Sequence, residues 1–154
     1  MSLFKKLTNK LIVNNISVST AESCTGGLLA YSFIKNKNSS KIFKGGHITY
    51  SNELKIKELK VRRVSLENYG AVSNQIAEEM LKGLYQKNKT NICISTTGIA
   101  GPGGSTKNKP VGLIYIGIRF NKKNIILKKF FKGTRMQIQK KCVNFIFKYL
   151  DKLI

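Results

Sequence analysis

Hydrophobic positions along the chain follow two rhythms, and their alternation predicts the elements. Leu3, Leu7 and Leu11 recur about one helical turn apart, which predicts an amphipathic helix over 3–14. The β-branched run from Ile16 to Thr20 predicts a strand over 16–20, and the apolar segment Leu28 to Ile34 a helix over 25–35. A polar turn from Asn36 to Ser40 leads to a strand at 45–50 and a short helix from Asn52 to Leu59. Ser73 caps a helix predicted over 74–87, with Glu78 and Glu79 early and Lys82 and Lys87 late, as the helix dipole favours. A strand at 91–97 runs into a loop from Gly98 to Pro110. Strands at 111–119 and 124–131 then form a hairpin about Asn121 to Lys123, and a helix from Thr134 to Leu153 closes the chain. Strands alternating with helices predict an α/β fold, a three-layer α/β/α sandwich. Its sheet is mixed and mostly parallel, with a late antiparallel hairpin. No repeat or low-complexity linker divides residues 1–154, so a single domain is expected.

Composition narrows the setting. No run of about 18 apolar residues exists, so no membrane span or membrane partner is expected. The apolar part of the N-terminal stretch is too short and too interrupted for a signal peptide. Three scattered cysteines, Cys24, Cys93 and Cys142, suggest free thiols in a reducing, cytoplasmic setting. The net charge of +21 comes from 28 basic residues against 7 acidic ones. The surplus is almost all lysine, spread along the chain without interleaved aromatics, and reads as compositional drift rather than a specific nucleic-acid footprint. Non-specific adhesion to polyanions at low salt is expected nonetheless.

Two glycine-rich segments carry the candidate chemistry. Thr-Ala-Glu-Ser-Cys-Thr-Gly-Gly at 20–27 reads as strand, tight turn and helix start. Such a turn gathers unpaired backbone N–H groups where the helix dipole favours an anion, beside Ser23 and Cys24. Thr-Thr-Gly-Ile-Ala-Gly-Pro-Gly-Gly at 96–104 leaves the strand predicted at 91–97. Ligands of open α/β sheets bind beyond the carboxyl ends of strands, so the two loops are expected to face one crevice. Lys55, five residues after Tyr50, becomes a general base if desolvation lowers its pKa there; otherwise it is a solvated surface charge, and Tyr50 a packing aromatic. Elimination supports a serine–lysine arrangement. A single histidine (His47) and a single aspartate (Asp151) leave no Ser-His-Asp triad, and no spacing suits a metal. Glu22 either holds the turn's shape by accepting N–H bonds, the favoured reading, or orients a lysine. Arg135 is either an exposed helix-start residue or a forked ligand for phosphate or carboxylate.

Together TAESCTGG (20–27), ITYSNELK (48–55), GAVS (70–73) and STTGIAGPGG…KPVG (95–112) resemble the CinA C-terminal domain family, the nicotinamide-nucleotide amidases. The resemblance covers about residues 5 to 150 and is to the stand-alone amidase form, without the molybdopterin-binding-like domain of full-length CinA. It implies a compact α/β/α sandwich, commonly oligomeric. It also implies hydrolysis of the carboxamide of nicotinamide mononucleotide to nicotinate mononucleotide and ammonia, with no metal or organic cofactor. Matched residue by residue, it puts the serine nucleophile on Ser40, the lysine base on Lys55 and the assisting tyrosine on Tyr50. It puts Ser23, Thr97 and Arg135 near the substrate, and the glycine turns, Gly26, Gly27 and Gly98, join them as expected binding positions. The chain departs from the family pattern in lacking an acidic residue before Lys109-Pro110, in His47, and in reading Thr134-Arg135 where an Asp-Arg pair is usual.

Three rival readings stay open at this level. Cys24 is a second candidate nucleophile, since helix N-termini lower thiol pKa values. The basic charge allows a non-catalytic nucleic-acid-binding module. A degenerate copy would keep the fold without turnover.

Overall fold

The computed structural model describes all residues, 1–154. Five strands form one sheet: β1 (Val18–Glu22), β2 (Phe43–Ile48), β3 (Ile92–Gly98), β4 (Leu113–Phe120) and β5 (Lys123–Phe130), in the order β2-β1-β3-β4-β5. β1 pairs in parallel with β2 and β3; β3–β4 and β4–β5 are antiparallel. Six α-helices flank it: α1 (Leu3–Val13), α2 (Leu28–Ile34), α3 (Asn52–Leu59), α4 (Arg63–Tyr69), α5 (Asn74–Asn88) and α6 (Arg135–Leu153).

Strand alternation divides the core. Val18, Ile92 and Ile94 face a cluster with Leu7 and Leu11 of α1, Leu29 and Phe33 of α2, and Ile146 and Phe147 of α6. Ala21 and Cys93 face the opposite cluster, where Leu59 of α3 meets Ile76, Met80 and Leu84 of α5. Helices therefore cover both faces, and the fold is the expected three-layer sandwich.

The differences from the sequence reading are local. β1 runs two residues further than predicted, so Ala21 and Glu22 belong to the strand and Ser23 follows its end. Helix α2 starts at Leu28 rather than 25, because Gly26 and Gly27 take positive φ. Helix α4 lies in a stretch left unassigned, and a 3-10 turn forms at Ser39–Lys41. The β4–β5 turn is the two-residue type with positive φ at Asn121 and Lys122.

Charge also divides by layer. The α3–α5 layer carries Glu53, Glu58, Glu67, Glu78 and Glu79, four of them in ion pairs with Arg63, Lys87, Lys82 and Arg62. On the other side α1 carries Lys5, Lys6 and Lys10, and α6 carries Lys140, Lys141, Lys148 and Lys152. The one acid on these two helices, Asp151, pairs with Lys6 at 2.8 Å and Lys10 at 3.6 Å.

Candidate active site

Residues Glu22, Ile48 and Gly98 end the three parallel-ladder strands at one edge of the sheet, so the segments after them converge. The backbone fixes that convergence. Ser23 N–H donates to Thr96 O (3.0 Å), and Thr49 N–H donates to Glu22 O (2.9 Å). A cleft of about 280 Å³ opens here between the two glycine-rich loops. Ser23, Tyr50, Lys55, Thr97, Gly98 and Arg135 all line it.

Lys55 is the centre of the site. It sits in the first turn of α3, one helical turn before Leu59, and both side chains face inward. Only 1% of Lys55 is exposed. Its Nζ donates to Ser23 Oγ (3.1 Å), Thr49 O (2.9 Å) and Tyr50 O (3.0 Å), which uses all three ammonium donors. Burial pulls its pKa down from 10.5 to about 8, because the low-dielectric surroundings penalise the charged form. With no carboxylate at hydrogen-bond distance, the amine has hydrogen bonds but no counter-ion.

The lysine's hydroxyl partner is Ser23, not Ser40. Ser40 is exposed in the 3-10 turn before β2, at the end of the sheet where Phe43 pairs with Val18. Thr49 and Tyr50 leave the other end of β2, so that six-residue strand, about 20 Å long, separates Ser40 from Lys55. Ser40 instead lines a shallow depression with Ser39, Phe43 and Lys44. The expected pairing of Ser40 with Lys55 is therefore corrected: the hydroxyl beside Lys55 is that of Ser23, which is 8% exposed and lines the cleft.

Cys24 follows Ser23 and also lines the cleft, but its thiol is buried and its pKa is pushed up to about 12, chiefly by desolvation. At neutral pH it stays protonated, which argues against it as rival nucleophile. Its backbone contributes differently: Cys24 and Thr25 are turn residues whose N–H groups donate to no backbone carbonyl. An N–H on the residue after a serine nucleophile is well placed to receive a developing oxyanion.

Glu22 explains the turn's shape. Its buried carboxylate accepts from Gly27 N (3.2 Å), Leu29 N (3.0 Å), Ala30 N (3.0 Å) and Thr25 Oγ1 (2.6 Å). The expectation of a substrate anion at the α2 N-terminus is thereby corrected, because an internal carboxylate already satisfies those N–H groups. Gly26 and Gly27, expected to bind substrate, line a neighbouring groove with Leu28 and Tyr31 rather than the Lys55 cleft. Their positive φ values serve the turn.

Arg135 and Tyr50 close the open side. Arg135 Nη1 donates to Gly101 O (2.7 Å) and Nη2 to Tyr50 Oη (2.9 Å), clasping the second glycine loop to the β2–α3 connection. Thr134 makes the capping box that starts α6: its hydroxyl accepts from Gln137 N, and Gln137 Oε1 accepts from Thr134 N. Threonine thus fills at 134 the N-cap role open to aspartate. Thr97 Oγ1 donates to Ala71 O (2.8 Å) and ties the 70–73 segment to the cleft wall.

The 96–104 loop faces the cleft as expected; of the lining residues, Ala71, Val72 and Asn52 had no expected role there. The Gly-Ala-Val-Ser segment was visible as a motif, but nothing in its composition pointed to a cleft wall.

A model of the CinA C-terminal domain matches residues 1–154. A CinA-like protein of Fusobacterium nucleatum is 52% identical over 128 residues, 83% of this chain and 31% of that protein. The chain spans about a third of the length of the curated relatives it matches. Among solved structures, a competence-damaged protein (CinA) superfamily protein from Escherichia coli superposes with a TM-score of 0.93 at 31% identity, over 99% of this chain and 88% of that one. The competence/damage inducible protein CihA from Agrobacterium tumefaciens gives 0.91 at 32% identity, over 99% and 96%.

Proposed function

For a chain that belongs to the CinA C-terminal domain family, we propose metal-free hydrolysis of a carboxamide, with nicotinamide mononucleotide as substrate and nicotinate mononucleotide and ammonia as products. The observation that carries the reading is the buried Lys55 amine on Ser23 Oγ at 3.1 Å, with a pKa near 8. A base in that range and a serine within its reach are the parts a serine–lysine acyl transfer needs.

In the neutral form, Lys55 accepts the Ser23 proton as Oγ attacks the amide carbon. Charge that develops on the amide oxygen meets the free N–H of Cys24, with that of Thr25 adjacent; such a donor contributes about 3–4 kcal/mol in related chemistry. Lys55 ammonium then returns the proton to the departing ammonia. An acyl ester on Ser23 remains, and water resolves it with Lys55 again as base. Arg135, a cation lining the cleft, receives the substrate's anionic end, the α2 N-terminus being filled by Glu22. At pH 7 about a tenth of Lys55 is neutral if its pKa is about 8, so the active fraction grows on raising the pH.

The deciding experiment is ammonia release from nicotinamide mononucleotide in EDTA. Wild type and Ser40→Ala are expected to release it equally, while Ser23→Ala and Lys55→Ala lose about 10³-fold or more. The double variant is expected to be little worse than either single one, because the pair acts as a unit. Activity in Ser23→Ala with loss in Ser40→Ala would sink the assignment. Loss in EDTA restored by a divalent metal would sink the mechanism.

A further inference from the structure

A second groove runs along the α1–α2–α6 layer. It consists of two adjoining depressions, of about 420 and 330 Å³, that share Leu28, Tyr31 and Lys140. Gly26, Gly27 and Met136 line one end; Lys35 and Asn144 line the other. Tyr31 is 60% exposed and Met136 64% exposed, so an aromatic ring and a thioether stand open beside lysines from both banks. Lys35 Nζ lies 4.0 Å over the Phe4 ring, which holds that cation at the groove's far end. No acidic side chain lines either depression, and the layer's one surface acid, Asp151, is taken up by Lys6 and Lys10.

Uniform compositional drift would charge both layers alike. Instead, acids stay interspersed and paired on the α3–α5 side and are nearly missing on this one. The exposed aromatic and the lysines are also interleaved in space, although along the chain they are far apart. A second copy of the chain is a poor occupant, since it would bring the same uncompensated positive charge. A flat anionic membrane meets the lysines but not the floor of a concave groove. A flexible polyanion with flat rings satisfies both: its bases stack on Tyr31 while its backbone phosphates meet Lys35 and Lys140.

We propose that the α2–α6 groove binds single-stranded nucleic acid without sequence preference, at a place separate from the Ser23–Lys55 cleft. Recognition there is by ring stacking and phosphate pairing, with no base-edge reading.

The test is fluorescence anisotropy of a labelled oligodeoxythymidylate at about 0.15 M salt, where loose charge adhesion is largely screened. Wild type is expected to bind the strand more tightly than the matching duplex. Tyr31→Ala is expected to weaken binding about tenfold, and Tyr31→Phe to retain it. Lys140→Glu lowers affinity and reduces the slope of log affinity against log salt by about 0.7 or more. Lys123→Glu with Lys128→Glu on β5 changes the net charge by more but leaves the groove alone, and is expected to have the smaller effect. Ser23→Ala binds as wild type, which separates this proposal from the hydrolysis reading. Equal losses in the β5 and Lys140 variants, no loss in Tyr31→Ala, or capture of phosphatidylglycerol vesicles in preference to the strand each overturn it.

Discussion

At the scale of single residues, Lys55 links stability and the proposed hydrolysis through one proton. The unfolded chain holds that proton up to about 10.5, and the folded chain releases it from about 8. Between those values the unfolded state binds more protons, so stability rises with pH across this window. Below about 8 both states are protonated, and the buried ammonium costs about 3 kcal/mol relative to the upper end of the window. Melting curves of wild type and Lys55→Met are therefore expected to shift relative to one another between pH 8 and 10, in favour of wild type. The same titration predicts that kcat/KM for amide hydrolysis climbs with pH and levels off above about 8; a profile flat from pH 6 to 9 would exclude Lys55 as base. Cys24→Ala is expected to keep most activity, since the thiol near 12 takes no part in proton transfer while the backbone N–H remains. Lys55, Tyr50, Thr97 and Arg135 were legible in the sequence because each sits in a local motif. The choice of Ser23 over Ser40 was missed although the strand predicted at 45–50 already set Ser40 and Lys55 at opposite ends of it; what stayed hidden was that β1 runs on to Glu22 and so delivers Ser23 Oγ to Lys55.

Among the elements, α3 has the most consequential position, and a glycine on another helix sets it. Gly83 of α5 lies so close to Leu59 that an added Cβ would overlap the Leu59 backbone carbonyl. Leu59 is one turn beyond Lys55, so this close approach fixes how deeply the lysine enters the cleft. Gly83→Ala is expected to lower stability by about 3 kcal/mol, seen as a melting temperature about 10 °C lower. It is also expected to reduce kcat through displacement of Lys55, whereas an alanine at exposed Gly103, where a Cβ meets nothing, leaves stability unchanged. Periodicity located most elements because α1, α5 and α6 each bury one apolar stripe. Helix α4 escaped it: seven residues, Arg-Val-Ser-Leu-Glu-Asn-Tyr, have no side-chain cap at Arg62 and bury only Ser65 within the helix. The late end of β1 was equally hidden, because Glu22 reads as a loop residue until its carboxylate is seen turned onto the α2 N–H groups.

For the whole molecule, the balance of +21 acts against compactness, since like charges repel across a small globule. Added monovalent salt is expected to raise the melting temperature, most steeply below about 0.1 M, where the screening length exceeds about 10 Å. The order of layers, which alternation along the chain revealed, does not reveal this division of charge, because α1 and α6 lie at opposite ends of the sequence and meet only in the fold. The buried thiols have a different whole-molecule consequence. Cys24, Cys93 and Cys142 are all enclosed, and burial pushes Cys24 to about 12 and Cys142 well above its usual range. Peroxide attacks accessible thiolates, so a protein whose proposed nucleophile is a hydroxyl keeps its hydrolytic centre under oxidants that silence cysteine hydrolases. The exposed sulfur atoms are instead the thioethers of Met1 and Met136. Mass spectrometry after peroxide treatment is expected to find sulfoxide at Met1 and Met136 and unmodified cysteines, so oxidative damage would alter the α2–α6 groove and leave the proposed hydrolysis intact.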